Sequence, residues 1–429
     1  MPLPMNRRTF LKLSAVAPAA AGITLGTPPS SVYGGEIASL LGGDEAYWDS
    51  IRKQFPITKN LLFFNNGTMG PSPLSVTQAV TKQIEHVDAT ADYGFNHEKL
   101  NASIANVIGA TADDIATTHN VSEGISIIAS GLRMQPGDEV LLTNQEHGGG
   151  AVPWLARAKR HGIVVKFVTL DPSDDVTLER FAKAMTNRTK IIAVPHLTCT
   201  MGYLLPVKRL AELAHSKGAY LFVDGAHPPG MLQVNVKEIG CDAYASCGHK
   251  WLLGPKGTGF LYITKEFREQ VSPSWSGAEA DKHWDYNASD GNLEFQDSAN
   301  RYRFATQSSS LYTGLQAAID WQEQIGFAKI EARIIELTAQ LREGLAPLAP
   351  GKFDMLTPEH MISGVTTIKL KNSKRYIDFA HDLENKYKIR TRIVPENGLE
   401  ASRFSVHVYT SKKDVDVFLK GIRDCLTTV

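Results

Sequence analysis

The chain has 429 residues, 43% hydrophobic and 21% charged, which excludes a disordered or fibrous chain and leaves ample material for a buried core. On a prior of roughly 100–200 residues per domain it holds two to three domains. Lys plus Arg number 45 and Asp plus Glu 45, so neither a nucleic-acid surface nor an acidic tail is expected. The cysteines (Cys199, Cys241, Cys247, Cys425) are too few for a disulfide scaffold and lack the spacing of a structural zinc site, so no metal is expected.

In chain order, residues 6–12 read Asn-Arg-Arg-Thr-Phe-Leu-Lys, and an Ala-rich apolar stretch follows over 13–25. It is short for a membrane span. A charged start before a short apolar region has the layout of an export signal, and Arg7-Arg8 followed by Phe10-Leu11-Lys12 is similar to the twin-arginine type. A frayed helix there would leave the same apolar side chains in water. Residues 1–36 are therefore expected to be a twin-arginine signal peptide, cut within 26–36. The protein is expected to pass the twin-arginine translocation machinery into the periplasm or otherwise out of the cytoplasm, with no stable membrane span after processing. That machinery carries folded proteins, which suits an enzyme that takes up a cofactor before it leaves.

Short apolar runs recur downstream at 61–65, 139–143, 164–170, 190–195, 220–224 and 258–263, bounded by Gly, Pro, Asn or Asp. Helical patterns lie between them. Ile125, Ile128 and Ala129 follow Ser122 as N-cap, and Val207, Leu210, Leu213 and Ala214 precede a terminating Gly218. This alternation predicts an α/β domain with a mostly parallel sheet. Gly and polar residues thicken over 272–300, which reads as a long functional loop. A long helical segment is expected over 311–346. An α+β texture follows, with a strand at 364–370, a helix at 374–386 and a closing helix from Lys412.

Ligands of open α/β sheets bind beyond the carboxyl ends of the strands. Four expected tips carry unusual polar residues: Asn144 to Gly150, which includes Glu146 and His147; His196; Asp224-Gly225-Ala226-His227; and Cys247-Gly248-His249-Lys250-Trp251. One such tip is ordinary, whereas four in one domain point to a site. Alone, Lys250 would read as a solvated loop residue, and Asp224 changes that reading. A lysine that forms a Schiff base with pyridoxal phosphate needs an acid at the opposite edge of the ring. The acid keeps the pyridine nitrogen protonated, so the ring can accept carbanion electrons.

Asp224-Gly225-Ala226-His227, His249-Lys250-Trp251-Leu252 and the run from Gly254 to Tyr262 resemble the class V aminotransferase superfamily, as does Asn65-Asn66-Gly67-Thr68-Met69-Gly70-Pro71. That superfamily includes cysteine desulfurases, kynureninases and isopenicillin N epimerases, and these motifs look most like the epimerase branch. The resemblance covers roughly residues 45–429. It implies the pyridoxal-phosphate fold type I: a large domain with a seven-stranded sheet over 66–310, and a small α+β domain built from both chain ends. The small domain takes 37–65 together with 311–429, the latter including a connecting helix. A homodimer with composite sites is implied too.

The resemblance also implies roles. Lys250 matches the Schiff-base lysine and Asp224 the pyridinium partner. His227 matches a contact to the phenolic oxygen, and His147 the residue over the pyridine face. Ser122-Glu123-Gly124 match the phosphate-binding turn, His249 a phosphate contact, and Thr306 a threonine that reaches the neighbouring subunit's phosphate. Arg403 matches the arginine that forks onto the substrate α-carboxylate. Arg392 is a second anion contact, and Arg390 competes for the role. A helix opening at Ser122 favours an anion on physical grounds alone.

Other residues read as structural. His196 is a strand-tip histidine, and His407 and Tyr409 alternate with Ser405 on a strand and pack. Cys199 and Cys247, at positions near the cofactor in relatives, read as small buried hydrophobes. Cysteine desulfurases carry a catalytic cysteine on the loop before the carboxylate arginine, and residues 393–402 here hold none. The expected function is a pyridoxal-phosphate enzyme acting on an amino group of a small amino acid or peptide-like substrate. Transamination, epimerisation, elimination and decarboxylation share one start and stay open. The alternatives are a cysteine or selenocysteine lyase, or an enzyme that modifies a siderophore or peptide. The intact Lys250–Asp224 pair speaks against a cofactor-free binding protein.

Overall fold

The chain's first described element is a helix, Glu45–Arg52, whose N-cap Asp44 accepts the Ala46 N–H. Strand β1 (Leu62–Phe63) follows. This computed structural model describes residues 44–283, 291–303, 306–372 and 375–427, so the expected signal peptide and its cleavage region lie outside the described residues.

The next strands are β2 (Ile115–Thr118), β3 (Glu139–Thr143), β4 (Val164–Val168), β5 (Thr189–Pro195), β6 (Tyr220–Asp224), β7 (Ala243–Cys247) and β8 (Gly259–Ile263). They form one seven-stranded sheet in the order β2-β8-β7-β6-β5-β3-β4. β3 to β7 run parallel, and β8 is antiparallel to both β7 and β2. The period of two along each strand sorts side chains into two cores. Val140, Ile191, Phe222 and Ala245 face one, while Leu141, Ile192, Val223 and Tyr244 face the other. Helices Val121–Gly131 and Gly148–His161 cover the first face. Helices His97–Ile108, Val207–Ser216 and Ser309–Ile325 cover the second. Cover on both faces explains why the strands read as nearly continuous apolar runs.

Strands β9 (Phe353–Met355), β10 (Val365–Leu370), β11 (Ile389–Arg390), β12 (Arg392–Val394) and β13 (Ala401–Ser405) follow. Four of them make an antiparallel sheet, β12-β13-β10-β9, while β11 pairs in parallel with β1. Asn65 bridges to Ser405, and Phe64 stacks on Phe418 of the closing helix Lys412–Leu426 with centroids 4.4 Å apart.

Several local expectations are corrected. The helical segment expected over 311–346 is two helices, Ser309–Ile325 and Phe327–Leu345, divided at Gly326. Gly326 has φ 95°, a conformation that side chains with a Cβ rarely adopt. Ser122 does not cap its helix. Asn120 does, accepting the Glu123 N–H at 2.9 Å, so Ser122 lies inside the first turn. β2 went unread, because four residues are too few for a periodic signal. The run at 61–65 is only Leu62–Phe63, and the helix expected at 374–386 is Tyr376–Tyr387. Within 272–300 the described residues hold two 3₁₀ turns, Ala278–Ala280 and Ala299–Tyr302.

Candidate active site

Asp224 closes β6, in register with Pro195 of β5 and Ala245 of β7. It is buried, and its Oδ1 accepts the Ala226 N–H at 2.9 Å. Burial raises its pKa, outweighing the opposite pull of Lys250 and that N–H. A carboxylate so placed favours a cationic partner. Lys250 stands in the turn after β7, its Nζ 3.4 Å from Nε2 of buried His227. Trp251 Nε1–H donates to His227 Nδ1 at 3.1 Å. The neutral ring therefore carries its proton on Nε2, facing the lysine. Burial first, and then the Lys250 charge, hold His227 well below the usual imidazole range. Trp251 is itself fastened. Its carbonyl accepts Gln322 Nε2 at 3.0 Å and His407 Nε2 at 3.2 Å, and its ring stacks on His407.

Ser122, Glu123 and Gly124 form the first turn of helix Val121–Gly131. The Glu123 carboxylate folds back onto the His119 backbone N–H at 2.6 Å and the His119 ring at 2.8 Å. It serves the cap, and with the Glu123 and Gly124 N–H groups turned to Asn120, Ser122 is the residue of this turn left to meet a ligand. Ser122 Oγ lies 2.5 Å from where a Cβ on Gly149 would stand. Glycine there lets helix Gly148–His161 bring its own N-terminus alongside, and two helix N-termini together favour an anion. His147 caps that second helix, its Nδ1 accepting the Gly149 N–H at 3.0 Å. His249 is half-buried, and its Nδ1 is buried with no partner. Burial and the charges of Lys250 and Lys256 push its pKa down to about 4. Thr306 lies exposed at the protomer surface.

Arg403 on β13 faces Arg392 on β12 across the ladder. The Arg403 side chain is buried. It donates to the Cys199 carbonyl at 2.8 Å, to Asn65 Oδ1 at 3.1 Å and to Thr68 Oγ1 at 2.8 Å, and its Nε is buried with no partner. These partners are all neutral. Burial, with the neighbouring Arg392 charge, brings its pKa down to about 9. An uncompensated buried cation of this kind calls for an anion. Arg392 donates to the same Cys199 carbonyl at 3.2 Å and pairs with Glu396. Arg390 pairs with Glu384 at 2.6 Å on the surface. The three arginines are thus not equivalent.

The sequence assigned no role to Glu146, although it lies in a tip already singled out. Its Oε1 accepts from Thr143 N at 3.0 Å and Thr143 Oγ1 at 2.7 Å. Its Oε2 lies 2.9 Å, and Asp224 Oδ2 3.7 Å, from where a Gly150 Cβ would stand. Burial pushes the Glu146 carboxyl up to about 8, which places a neutral acid behind Asp224. Asn65, Thr68 and Glu396 also join the site. The first two lie in a quoted motif, whereas nothing near Glu396 signalled it. His196 contacts the Tyr244 hydroxyl at 3.1 Å, and its backbone N–H donates to the Asp224 carbonyl at 2.8 Å, a structural role beside the strand tip.

An amine at Lys250, a buried carboxylate at Asp224, two adjoining helix N-termini and the orphan His249 nitrogen suit the carbonyl, ring nitrogen and phosphate of pyridoxal phosphate.

Comparison with known proteins agrees. Residues 4–24 match the signal sequence of the twin-arginine translocation pathway, so the chain carries an export signal. No helix among the described residues is long and apolar enough to cross a membrane. The isopenicillin N epimerase of Streptomyces clavuligerus is 29% identical over 405 residues, covering 89% of this chain and 99% of that protein. A probable cysteine desulfurase of Methanothermobacter thermautotrophicus is 30% identical over 302 residues, covering 68% of this chain and 74% of that one. The solved apo cysteine desulfurase of Thermococcus onnurineus matches with a TM-score of 0.78 at 27% identity, over 89% of this chain and 98% of that one. A cystine C–S lyase shares the fold, with a TM-score of 0.79 at 24% identity over 86% of this chain and 99% of that one. With residues 71–418 matching the class-V aminotransferase model, and the fold type I sheet placing its lysine and aspartate at adjoining strand ends, this chain belongs to the class V aminotransferase family of pyridoxal-phosphate-dependent enzymes.

Proposed function

We propose that the protein is an exported, homodimeric enzyme that reacts at the amino-bearing carbon of an amino acid or peptide-like substrate, with the roles read from the sequence for every residue but Arg392, whose charge Glu396 takes up. Pyridoxal phosphate, when bound, supplies an electron sink for that carbon. Lys250 tethers it and, once released, moves a proton at the substrate carbon. Asp224 holds the proton on the ring nitrogen, with neutral Glu146 behind it. With the cofactor bound, His227 would offer Nε2–H to its phenolic oxygen, and His147 would cover its ring. The turn Ser122-Glu123-Gly124, with His249 and the partner protomer's copy of Thr306, holds the phosphate. Arg403 forks onto the substrate α-carboxylate. The single observation that carries the reading is the Lys250–Asp224 pair at the ends of adjoining strands beside two helix N-termini. Borohydride reduction followed by peptide mapping tests it. Modification at Lys250 is expected, and labelling elsewhere overturns the assignment. Light scattering should give a dimer, and a fully active monomer would exclude the composite site.

A β-elimination on a cysteine-like substrate is the second reading, favoured by similarity to the desulfurases. All four cysteines are buried, and none lies on 393–402. Such an elimination would therefore release sulfur directly, without a protein persulfide.

A further inference from the structure

Arg392 and Arg403 share the carbonyl of Cys199, yet only Arg403 has neutral partners throughout. Arg392 is taken by Glu396 through Oε1, while Glu396 Oε2 is buried and has no partner. A buried carboxylate oxygen without a donor is unfavourable. Its position places it at the site. The loop that carries it docks on the tip of β3, where Asn397 Nδ2 donates to the Asn144 carbonyl. Burial is the main influence on both His147 and Cys199, and the Arg392 and Glu396 charges reach both residues with opposite sign.

We infer that Glu396 sets the class of side chain the enzyme accepts: an α-amino acid whose side chain presents an N–H donor, amide or ammonium, to Glu396 Oε2, in preference to one that ends in a free carboxylate. This rests on the reading of Arg403 as the α-carboxylate site. Arg392 is Arg403's ladder partner and shares the Cys199 carbonyl with it, so the Arg392–Glu396 pair is the neighbour of whatever binds at Arg403. The Arg392–Glu396 pair offers no unpaired positive charge to a second carboxylate, and Oε2 repels one. An N–H donor gains a charge-assisted hydrogen bond and breaks nothing. Discrimination thus has an attractive and a repulsive part.

Glutamine and glutamate are near-isosteres, and ornithine carries an ammonium at similar reach. Their affinities for the holoenzyme should be measured by calorimetry, alongside Glu396→Gln and Glu396→Ala. Glutamine and ornithine should bind the natural protein about tenfold or more tighter than glutamate. Whichever of the two binds more tightly tells amide from ammonium. Glu396→Gln should remove ornithine's advantage over glutamate. Glu396→Ala leaves Arg392 uncompensated and should make glutamate the tightest of the three. A natural protein that prefers glutamate, or a glutamine-to-glutamate ratio unchanged in both variants, overturns the inference. If none of the three binds while borohydride still marks Lys250, the side-chain inference fails and the cofactor assignment stands. Loss of both binding and labelling sinks both.

Discussion

Asp224, His227 and Lys250 come from two neighbouring strands and lie within 26 residues of one another, with Trp251 locking the His227 ring between them. Arg403 instead reaches Asn65 across 338 residues, Thr68 across 335 and Cys199 across 204. The buried polar atoms left unpaired at this second end include Arg403 Nε, Ser402 Oγ and Glu396 Oε2. Two non-glycine residues with left-handed backbones, Asn397 at φ 53° and Glu400 at φ 50°, flank it. The end proposed to handle the cofactor is locally made and largely fixed by its own hydrogen bonds, its exceptions being the unpaired His249 Nδ1 and the left-handed Leu253 at φ 58°. The end proposed to meet the substrate is assembled from distant segments and keeps more of its polar groups unpaired. Strain and unpaired groups of this kind gather where local rules give way to function.

The largest effect should come from the first end. Asp224→Asn keeps the fold and the cofactor but cannot hold the ring nitrogen protonated. Turnover should fall on the order of 10²-fold or more, by analogy with other preorganised electrostatic groups. Near-normal turnover with cofactor bound would break the contrast between the two ends.

The next concerns pH. His407 is buried, accepts the Val408 N–H on Nδ1 at 2.8 Å and donates to Trp251. Burial lowers its pKa from 6.5 to about 4. Its proton binds more tightly in the unfolded chain, so the penalty is absent well above 6.5, grows as pH falls and is complete below about 4. At pH 5 it amounts to roughly 2 kcal/mol. His249 and Glu146 add their own contributions, so the readout is the difference between proteins: the stability change between pH 7.5 and pH 5 from urea unfolding should be less unfavourable by about this amount in His407→Gln. Equal slopes for both proteins would refute the assignment.

A smaller effect is expected at the second end. Arg403→Lys keeps the charge and loses the fork, so KM for amino acids should rise about tenfold. The absorbance of the bound cofactor should stay unchanged. If cofactor binding fell along with substrate binding, the two ends would not be separable.

Last is an expected absence of effect. After incubation with cysteine, mass spectrometry should find no persulfide that forms and turns over on Cys199, Cys241, Cys247 or Cys425. One that did would make a buried thiol the missing nucleophile.

The sequence made the first end legible. Its residues sit in short contiguous motifs at strand tips, and the alternation that builds the central sheet is a local signal. Glu146 was visible as a letter but not as a neutral acid, because its pKa follows from Thr143, Gly150 and Asp224 meeting in space. Asn120 outcompeted Ser122 as the cap by two positions, a distinction that apolar spacing does not carry. Gly326 was hidden by amphipathic pattern on both sides of it. Glu396 could not be read at all, since its meaning lies in an ion pair and an unpaired oxygen. β1, which precedes residue 65, pairs with β11 of the C-terminal part, a contact between segments more than 300 residues apart that no local pattern announces.

The 338-residue span between Asn65 and Arg403 also orders events during synthesis. A nascent chain that has reached β8 already contains Asp224, His227 and Lys250, but β13 has not been made. The segments that carry Asp224, His227 and Lys250 are thus made before the segment that carries Arg403. Contacts this remote in sequence also close slowly, because loop entropy is lost before they form. A translocation route that carries folded proteins suits a chain whose Arg403 cluster closes only after synthesis has passed β13.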